Sequence, residues 1–193
     1  MIRFLNSVAF LACIIYSTIP SFWLFIHPRV RYWRARKQPY LILVPLWIGM
    51  WLLLAALTFH WRNVHLYNAR WTWLPALVFF ACGVYLYIRA RHNFTPAQLG
   101  GIPEIQANHR HQQLVTSGIR GRIRHPVYLG HLCEMLAWSL GSGLAVNFLL
   151  TMFAILTGTI MIRTEDAELE QRFGAEYVAY RRRVPALFGW HRH

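Results

Sequence analysis

Long apolar runs constrain this sequence more than any other feature. A transmembrane helix needs roughly 20 mainly apolar residues, and the 193-residue chain contains three runs of about that length. Two further apolar runs follow, separated only by Gly141-Ser142-Gly143, so we expect them to form a tight helical hairpin. The five predicted spans cover residues 4–26, 40–59, 71–88, 126–140 and 144–162. The sequence therefore predicts an all-α, multi-pass integral membrane protein.

The basic residues are distributed unevenly between the connections. The chain carries 20 Arg and Lys against 7 Asp and Glu, for a net charge of +13. Only Arg3, Arg62 and Arg70 fall on one side of the five predicted spans, and the other 17 bases fall on the opposite side. The positive-inside rule then places the N-terminus outside and the C-terminus in the cytoplasm. Because the bases alternate with apolar runs, contact with anionic lipid is favoured over binding of nucleic acid.

The chain divides into two parts. Residues 1–88 hold three spans, and residues 89–193 hold a long basic loop, the hairpin and a tail. Loops of this length usually carry function, so we expect the site in the second part, on the cytoplasmic side. The three cysteines lie in apolar runs without metal-ligand spacing, and no metal site is expected.

Polar residues collect where the loop enters the fourth span. Pro126 suits the first position of a helix, because its missing N–H would be unpaired there. The free amides of that helix end, beside Arg124 and His125, would suit a carboxylate or a phosphate. The alternative is that both side chains only extend to the membrane interface.

A cluster of acids follows the fifth span. Five of the seven acids of the chain lie between Glu165 and Glu176. In so basic a protein these acids could pair with nearby arginines, which the local sequence favours, or could bind a cationic ligand.

Glu134 is the only acid predicted to lie inside the membrane. Such a residue is costly there and marks a functional site by default. Tyr128, His131 and Glu134 share one helix face at intervals of three residues, so we expect His131 and Glu134 to line a substrate pocket. The alternative is that Glu134 pairs with Arg62 or Arg70 at the far interface.

Four ordered motifs resemble the isoprenylcysteine carboxyl methyltransferase and phospholipid methyltransferase group of membrane enzymes. The resemblance covers residues 112–185, and the motifs occupy residues 114–118, 124–130, 165–169 and 173–180 with Val184-Pro185 after them. It implies transfer of a methyl group from S-adenosylmethionine to a lipophilic or lipidated acceptor. It also implies a cofactor pocket at the cytoplasmic ends of the last two spans, without a Rossmann domain.

The resemblance and the residue chemistry together give candidate residues. The cofactor-binding candidates are Gln112, Gln113, Leu114, Val115, Arg124, His125, Pro126, Val127, Tyr128 and Glu165. Arg163 joins His131 and Glu134 in the substrate pocket, and no catalytic residue is assigned. The sequence departs from the group at Met161, where the prenylcysteine enzymes place a substrate-binding Arg. It also departs at Arg120, where an aromatic residue is frequent, and the nearest histidines before Leu114 are His109 and His111.

Two other functions compete with methyl transfer. One is an NADPH-dependent reductase of the sterol or steroid type, whose carboxyl-terminal helices resemble this group. The other is a haem-binding or transport bundle, suggested by the ten histidines.

Overall fold

A computed structural model describes residues 2–91 and 113–188. These residues form α-helices and short 3₁₀ turns and contain no strand, apart from one isolated bridge between His65 and Leu144. The helices are α1 (Ile2–Ile26), α2 (Val30–Arg34), α3 (Tyr40–Thr58), α4 (Trp73–Arg91), α5 (Pro126–Ser142), α6 (Ala145–Phe173) and α7 (Ala175–Arg183). The 3₁₀ turns are His27–Arg29, Phe59–Trp61, Arg70–Thr72 and Gly118–Gly121. The predicted all-α class is confirmed.

Within the part of the chain that the structure describes, four helical segments are long and apolar enough to cross a membrane. They are Arg3–Arg34, Tyr40–Trp61, Arg70–Arg91 and Ala145–Phe173. The hairpin helix α5 has 17 residues, or about 25 Å, which is the lower limit for a span. The protein is thus an integral membrane protein, while the fifth span and the orientation of the termini stay predictions.

Helix α5 lies at the centre of the bundle, where it packs against α1, α4 and α6. Small residues allow the close approach of α4, since a Cβ on Gly83 would lie 2.8 Å from Glu134 Cγ and 3.0 Å from the carbonyl oxygen of Gly130. Helix α3 packs on α1 at the periphery. Its exposed apolar side chains, such as Leu41, Leu52 and Leu57, suit a lipid environment.

The turn between α5 and α6 is fixed to the connection between α3 and α4. Gly143 ends α5 with a left-handed φ of 64°, and its carbonyl accepts a hydrogen bond from the N–H of Leu66 at 2.8 Å. The N–H of Ala145 donates to the carbonyl of Val64 at 2.9 Å, and the Tyr67 hydroxyl donates to the carbonyl of Leu140 at 2.8 Å. These bonds hold one end of the hairpin.

Helix α6 extends 11 residues beyond the predicted end of its span at Ile162. The apolar run stops there, but the following residues are mostly strong helix formers, and the helix continues until Gly174 adopts a φ of 58°. With 29 residues, α6 is about 43 Å long and exceeds the hydrocarbon thickness of about 30 Å. Its last turns therefore project from the apolar layer and carry the acids.

The tail after α7 returns to the start of α5. The N–H of Arg124 donates to the carbonyl of Pro185 at 2.9 Å, and the N–H of His125 donates to the carbonyl of Ala186 at 3.0 Å. Three sequence segments thus meet at the other end of the hairpin.

Candidate functional site

A buried ionic cluster lies where the start of α5 meets the projecting end of α6. Asp166, which is 8% exposed, is at its centre. Its carboxylate accepts hydrogen bonds from Arg124 Nη2 at 2.7 Å and from His125 Nε2 at 2.9 Å. The Tyr177 hydroxyl of α7 also donates to it. Burial raises the pKa of Tyr177, and donation to the Asp166 carboxylate raises it further.

Arg124 is held by internal partners on two sides. Besides Asp166, its Nη1 donates to the carbonyl of Arg181 at 3.1 Å and to the carbonyl of Val184. These carbonyls lie at the end of α7, where the helix dipole favours a cation. The geometry therefore gives Arg124 a part in fixing α7 and the tail, in line with the ion pairing that the local sequence favours.

His125 contacts both acids that follow the apolar run of α6. Its Nδ1 lies 3.3 Å from Glu165 Oε2, and its Nε2 bonds Asp166. Burial alone would lower the pKa of His125, but the charge of Glu165 and the bond to Asp166 outweigh burial and raise the pKa to about 9. The imidazole is therefore a cation at neutral pH, so the cluster has two cations and two anions.

The raised pKa of His125 predicts a pH-dependent stability. A group whose pKa is higher in the folded state stabilises the fold below its ordinary pKa of 6.5. That contribution is lost as the pH rises through about 9. The melting temperature in detergent should therefore fall over this interval. His125→Gln should reduce the fall, and an unchanged profile in that variant would assign the effect to other groups.

The loop before α5 packs onto the cluster from the side of α7. Leu114 contacts the group formed by Tyr177, Tyr180 and Val184, whereas Gln113 is exposed. Arg120 Nη1 donates to the carbonyl of Arg124 at 3.3 Å, and the Tyr180 hydroxyl donates to the carbonyl of Arg120 at 2.6 Å. Burial lowers the pKa of Arg120, and the charge of Glu165 opposes this shift.

Three residues of the site were not assigned from the sequence. Asp166, Tyr177 and Tyr180 lie within the quoted motifs, but nothing in their spacing distinguishes them from neighbouring acids and tyrosines. Gln112, His109 and His111 lie outside the described residues.

An apolar crevice of about 70 Å³ opens beside the cluster, between α1, α5 and α6. It is lined by Tyr16, Tyr128, His131, Gly158 and Ile162, among others. Tyr128 follows His125 by three residues, and Ile162 precedes Glu165 by three residues. Each crevice residue therefore lies on the same helix face as that member of the cluster. The Tyr128 ring centroid is 5.9 Å from that of His125. The crevice and the cluster are therefore adjacent.

The predicted substrate-pocket residues occupy three different places. His131 lines the crevice, with the rings of Tyr16 and Tyr87 at 5.3 and 5.4 Å. Glu134 is 5% exposed and lies close to Tyr16, and it is not among the residues that line the crevice. Arg163 lies on another face of α6, beside His27.

Neither proposed partner of Glu134 at the far interface pairs with it. Among the residues that the structure describes, Glu134 forms no ion pair with Arg62 or Arg70. Arg62 instead lies over the Phe59 ring at 3.5 Å. In the same described ranges, 2–91 and 113–188, no group of three His, Cys, Asp or Glu could hold a metal ion.

Comparison with known proteins identifies relatives of part of this chain. One is Delta(14)-sterol reductase TM7SF2 of Mus musculus, 41% identical over 78 residues, covering 38% of this chain and 18% of the relative. Another is cobalt-zinc-cadmium resistance protein CzcN of Cupriavidus metallidurans, 38% identical over 80 residues, covering 41% of this chain and 37% of the relative. A third is protein-S-isoprenylcysteine O-methyltransferase of Schizosaccharomyces pombe, 37% identical over 78 residues, covering 38% of this chain and 31% of the relative. The matched segments thus span well under half the length of these relatives, and no solved structure matches the chain.

A family match extends over more of the chain than these pairwise similarities. Residues 71–176 match the phospholipid methyltransferase family. This range is more than half of the sequence and contains α4, α5, α6 and the first residues of α7. The chain belongs to the phospholipid methyltransferase family.

Proposed function

We propose that the protein is an S-adenosylmethionine-dependent membrane methyltransferase that acts on a lipophilic or lipidated acceptor. The observation that carries this proposal is the state of Glu165. The side chain of Glu165 is 24% exposed. Its buried Oε2 atom forms an ion pair with His125, but this oxygen accepts no hydrogen bond from the described residues. A carboxylate with unused acceptor capacity, next to an apolar crevice, suits a ligand that carries an ammonium group.

The residues present fit this cofactor in charge and in position. S-adenosylmethionine supplies an already activated methyl group, together with an ammonium and a carboxylate for recognition. Glu165 would hold the ammonium. The N–H groups of Val127 and Tyr128, in the first turn of α5, have no partner within the helix and would hold the carboxylate. Arg124 would contribute to cofactor binding only indirectly, because its guanidinium already binds Asp166 and two carbonyls.

The crevice suits an acceptor that enters from the bilayer. Its wall is mostly apolar and lies between three helices, so a lipid-like chain could enter sideways while its reactive end stops near Tyr128. Transfer to such an acceptor requires alignment and exclusion of water more than acid–base catalysis. Closure of the basic end by α7 and the tail would supply that exclusion. On the topology predicted from the basic residues, this end faces the cytoplasm.

Replacement of Glu165 by Gln should weaken binding of S-adenosylmethionine by at least about tenfold, because a charged hydrogen bond to the ammonium is lost. Calorimetric titration of the purified protein in detergent measures the affinity. Glu170→Gln is the control, since Glu170 forms an exposed pair with Arg181. Equal affinity in Glu165→Gln and the natural sequence would remove Glu165 from the cofactor site.

A second candidate is an NADPH-dependent reductase, which the similarity to a sterol reductase supports. The same titration separates the two functions. Binding of NADPH without binding of S-adenosylmethionine would replace the methyltransferase by the reductase, and binding of S-adenosylmethionine alone would exclude the reductase.

A further inference from the structure

A second concave region lies on the other side of α6 from the crevice. It is a shallow groove of about 510 Å³ between the 3₁₀ turn His27–Arg29 and the outer face of α6. Its lining includes His27, Ile160, Arg163, Thr164 and Glu168. The α6 members recur at intervals of three and four residues and therefore form one stripe along the helix.

The groove and the crevice open on different faces of α6, although His27 of the groove lies within electrostatic range of Glu165. Gly158 and Ile162 line the crevice, whereas Ile160 and Thr164 line the groove. Two residues along an α-helix correspond to a rotation of about 200°, so the two regions open on nearly opposite faces of α6. Helix α1 packs against α6, and Pro20 would contact a Cβ on Gly158 at 3.7 Å.

The groove lies at the level expected for lipid headgroups. The apolar run of α6 ends at Ile162, and that of α1 ends at Ile26, directly before His27. Trp23 stacks on His27 with ring centroids 5.3 Å apart, and Trp is enriched at membrane interfaces. Ile160 is therefore on the hydrocarbon side of the groove, and Glu168 is on the water side.

The polar groups of the groove have unused hydrogen-bonding capacity. Arg163 is exposed and forms no hydrogen bond or ion pair with the described residues. His27 is 7% exposed, and its Nδ1 has no hydrogen-bond partner among them. Arg172 binds Glu168 through Oε1, while Glu168 Oε2 has no partner in the described ranges.

The order of these groups matches the order of groups in a zwitterionic phospholipid. From the membrane outward, the groove presents an apolar side chain, two donors suited to phosphate and a carboxylate suited to an ammonium. We propose that this groove binds the headgroup of a zwitterionic phospholipid, with its phosphate at Arg163 and His27 and its ammonium at Glu168. The lipid is a bound component separate from the methyl acceptor, so the proposal does not depend on the reaction.

Native mass spectrometry of the full chain in detergent tests this site, with phosphatidylethanolamine or phosphatidylglycerol added. The natural sequence should bind the ethanolamine lipid more tightly. Arg163→Gln should weaken binding of both lipids by about tenfold, because both contain the phosphate. Glu168→Gln should weaken only the ethanolamine lipid and remove the preference.

Two variants control for unrelated effects. Arg182→Gln removes an exposed charge from α7 and should leave both affinities unchanged. Arg172→Gln breaks the bond to Glu168 but keeps the carboxylate, so the preference should persist. Non-saturable lipid binding would overturn the proposal, and so would a preference for the ethanolamine lipid that persists in Glu168→Gln. A loss of affinity in Arg182→Gln equal to that in Arg163→Gln would overturn it as well. Equal binding of water-soluble glycerophosphoethanolamine would also overturn it as a lipid site.

Discussion

Replacement of Asp166 by Asn should lower the free energy of unfolding by about 3 kcal/mol, because removal of one partner from a buried ion pair leaves the other charge uncompensated. Asp166 accepts bonds from Arg124, His125 and Tyr177, and these residues come from two other segments of the chain. Asn keeps the shape and one acceptor oxygen but loses the charge. A loss of this size corresponds to a fall of about 6–12 °C in melting temperature. Thermal unfolding in detergent, followed by tryptophan fluorescence, measures it.

The control for Asp166→Asn is Glu170→Gln, which makes the same chemical change on the same helix. Glu170 pairs with Arg181, and the two side chains are 41% and 42% exposed. Such exposed pairs contribute roughly 0–1 kcal/mol to the free energy of unfolding. If both variants lost the same amount of stability, the cluster would not be the structural centre of this end of the molecule.

Replacement of Gly143 by Ala should destabilise the protein by a similar amount, on the order of 3 kcal/mol. A Cβ there would lie 2.3 Å from the carbonyl oxygen of Tyr67. The left-handed φ of 64° adds strain of about 1–2 kcal/mol for a residue with a side chain. Relief of the contact requires movement of the Tyr67 backbone and loss of the bonds that join residues 64–67 to the hairpin turn. Thermal unfolding in detergent gives the size of the effect.

Two variants separate the steric contact from the backbone strain. Gly143→Asn tolerates the left-handed conformation better than Ala but meets the same carbonyl, so it should be nearly as destabilising. Gly49→Ala places a Cβ on α3 with no atom within 4 Å and should leave stability nearly unchanged. A stable Gly143→Asn variant would show that strain, rather than the contact with Tyr67, limits this position.

The helical architecture could be predicted because it depends on local properties of the sequence. The lengths of the apolar runs locate the helices, and Pro126 and Gly143 mark the two ends of α5. The end of α6 was misplaced because hydropathy locates the membrane boundary, whereas helix propensity and Gly174 locate the end of the helix. These two boundaries differ by 11 residues.

The site could be predicted in part. Motif order indicated that residues 124–128 and Glu165 belong together, and the structure brings His125 within contact of Glu165 and also of Asp166, which was not assigned. The sequence could not indicate that Asp166, rather than Glu165, is the central acceptor, because that depends on the rotation of α6. Nor could it indicate that Tyr16 of the first helix lies close to Glu134, since helix packing brings these distant residues together.

The hydrogen bonds between the start of α5 and the tail also set an order for biosynthesis. The carbonyl of Val184, which accepts a bond from Arg124, is synthesised 60 residues after it. At about 5–20 residues per second, translation of that interval takes several seconds. Helices α1 to α6 have left the ribosome's catalytic centre before the tail carbonyls that Arg124 and His125 bind are synthesised. The ionic cluster is therefore closed by α7 and the tail only after the hairpin of α5 and α6 has been made.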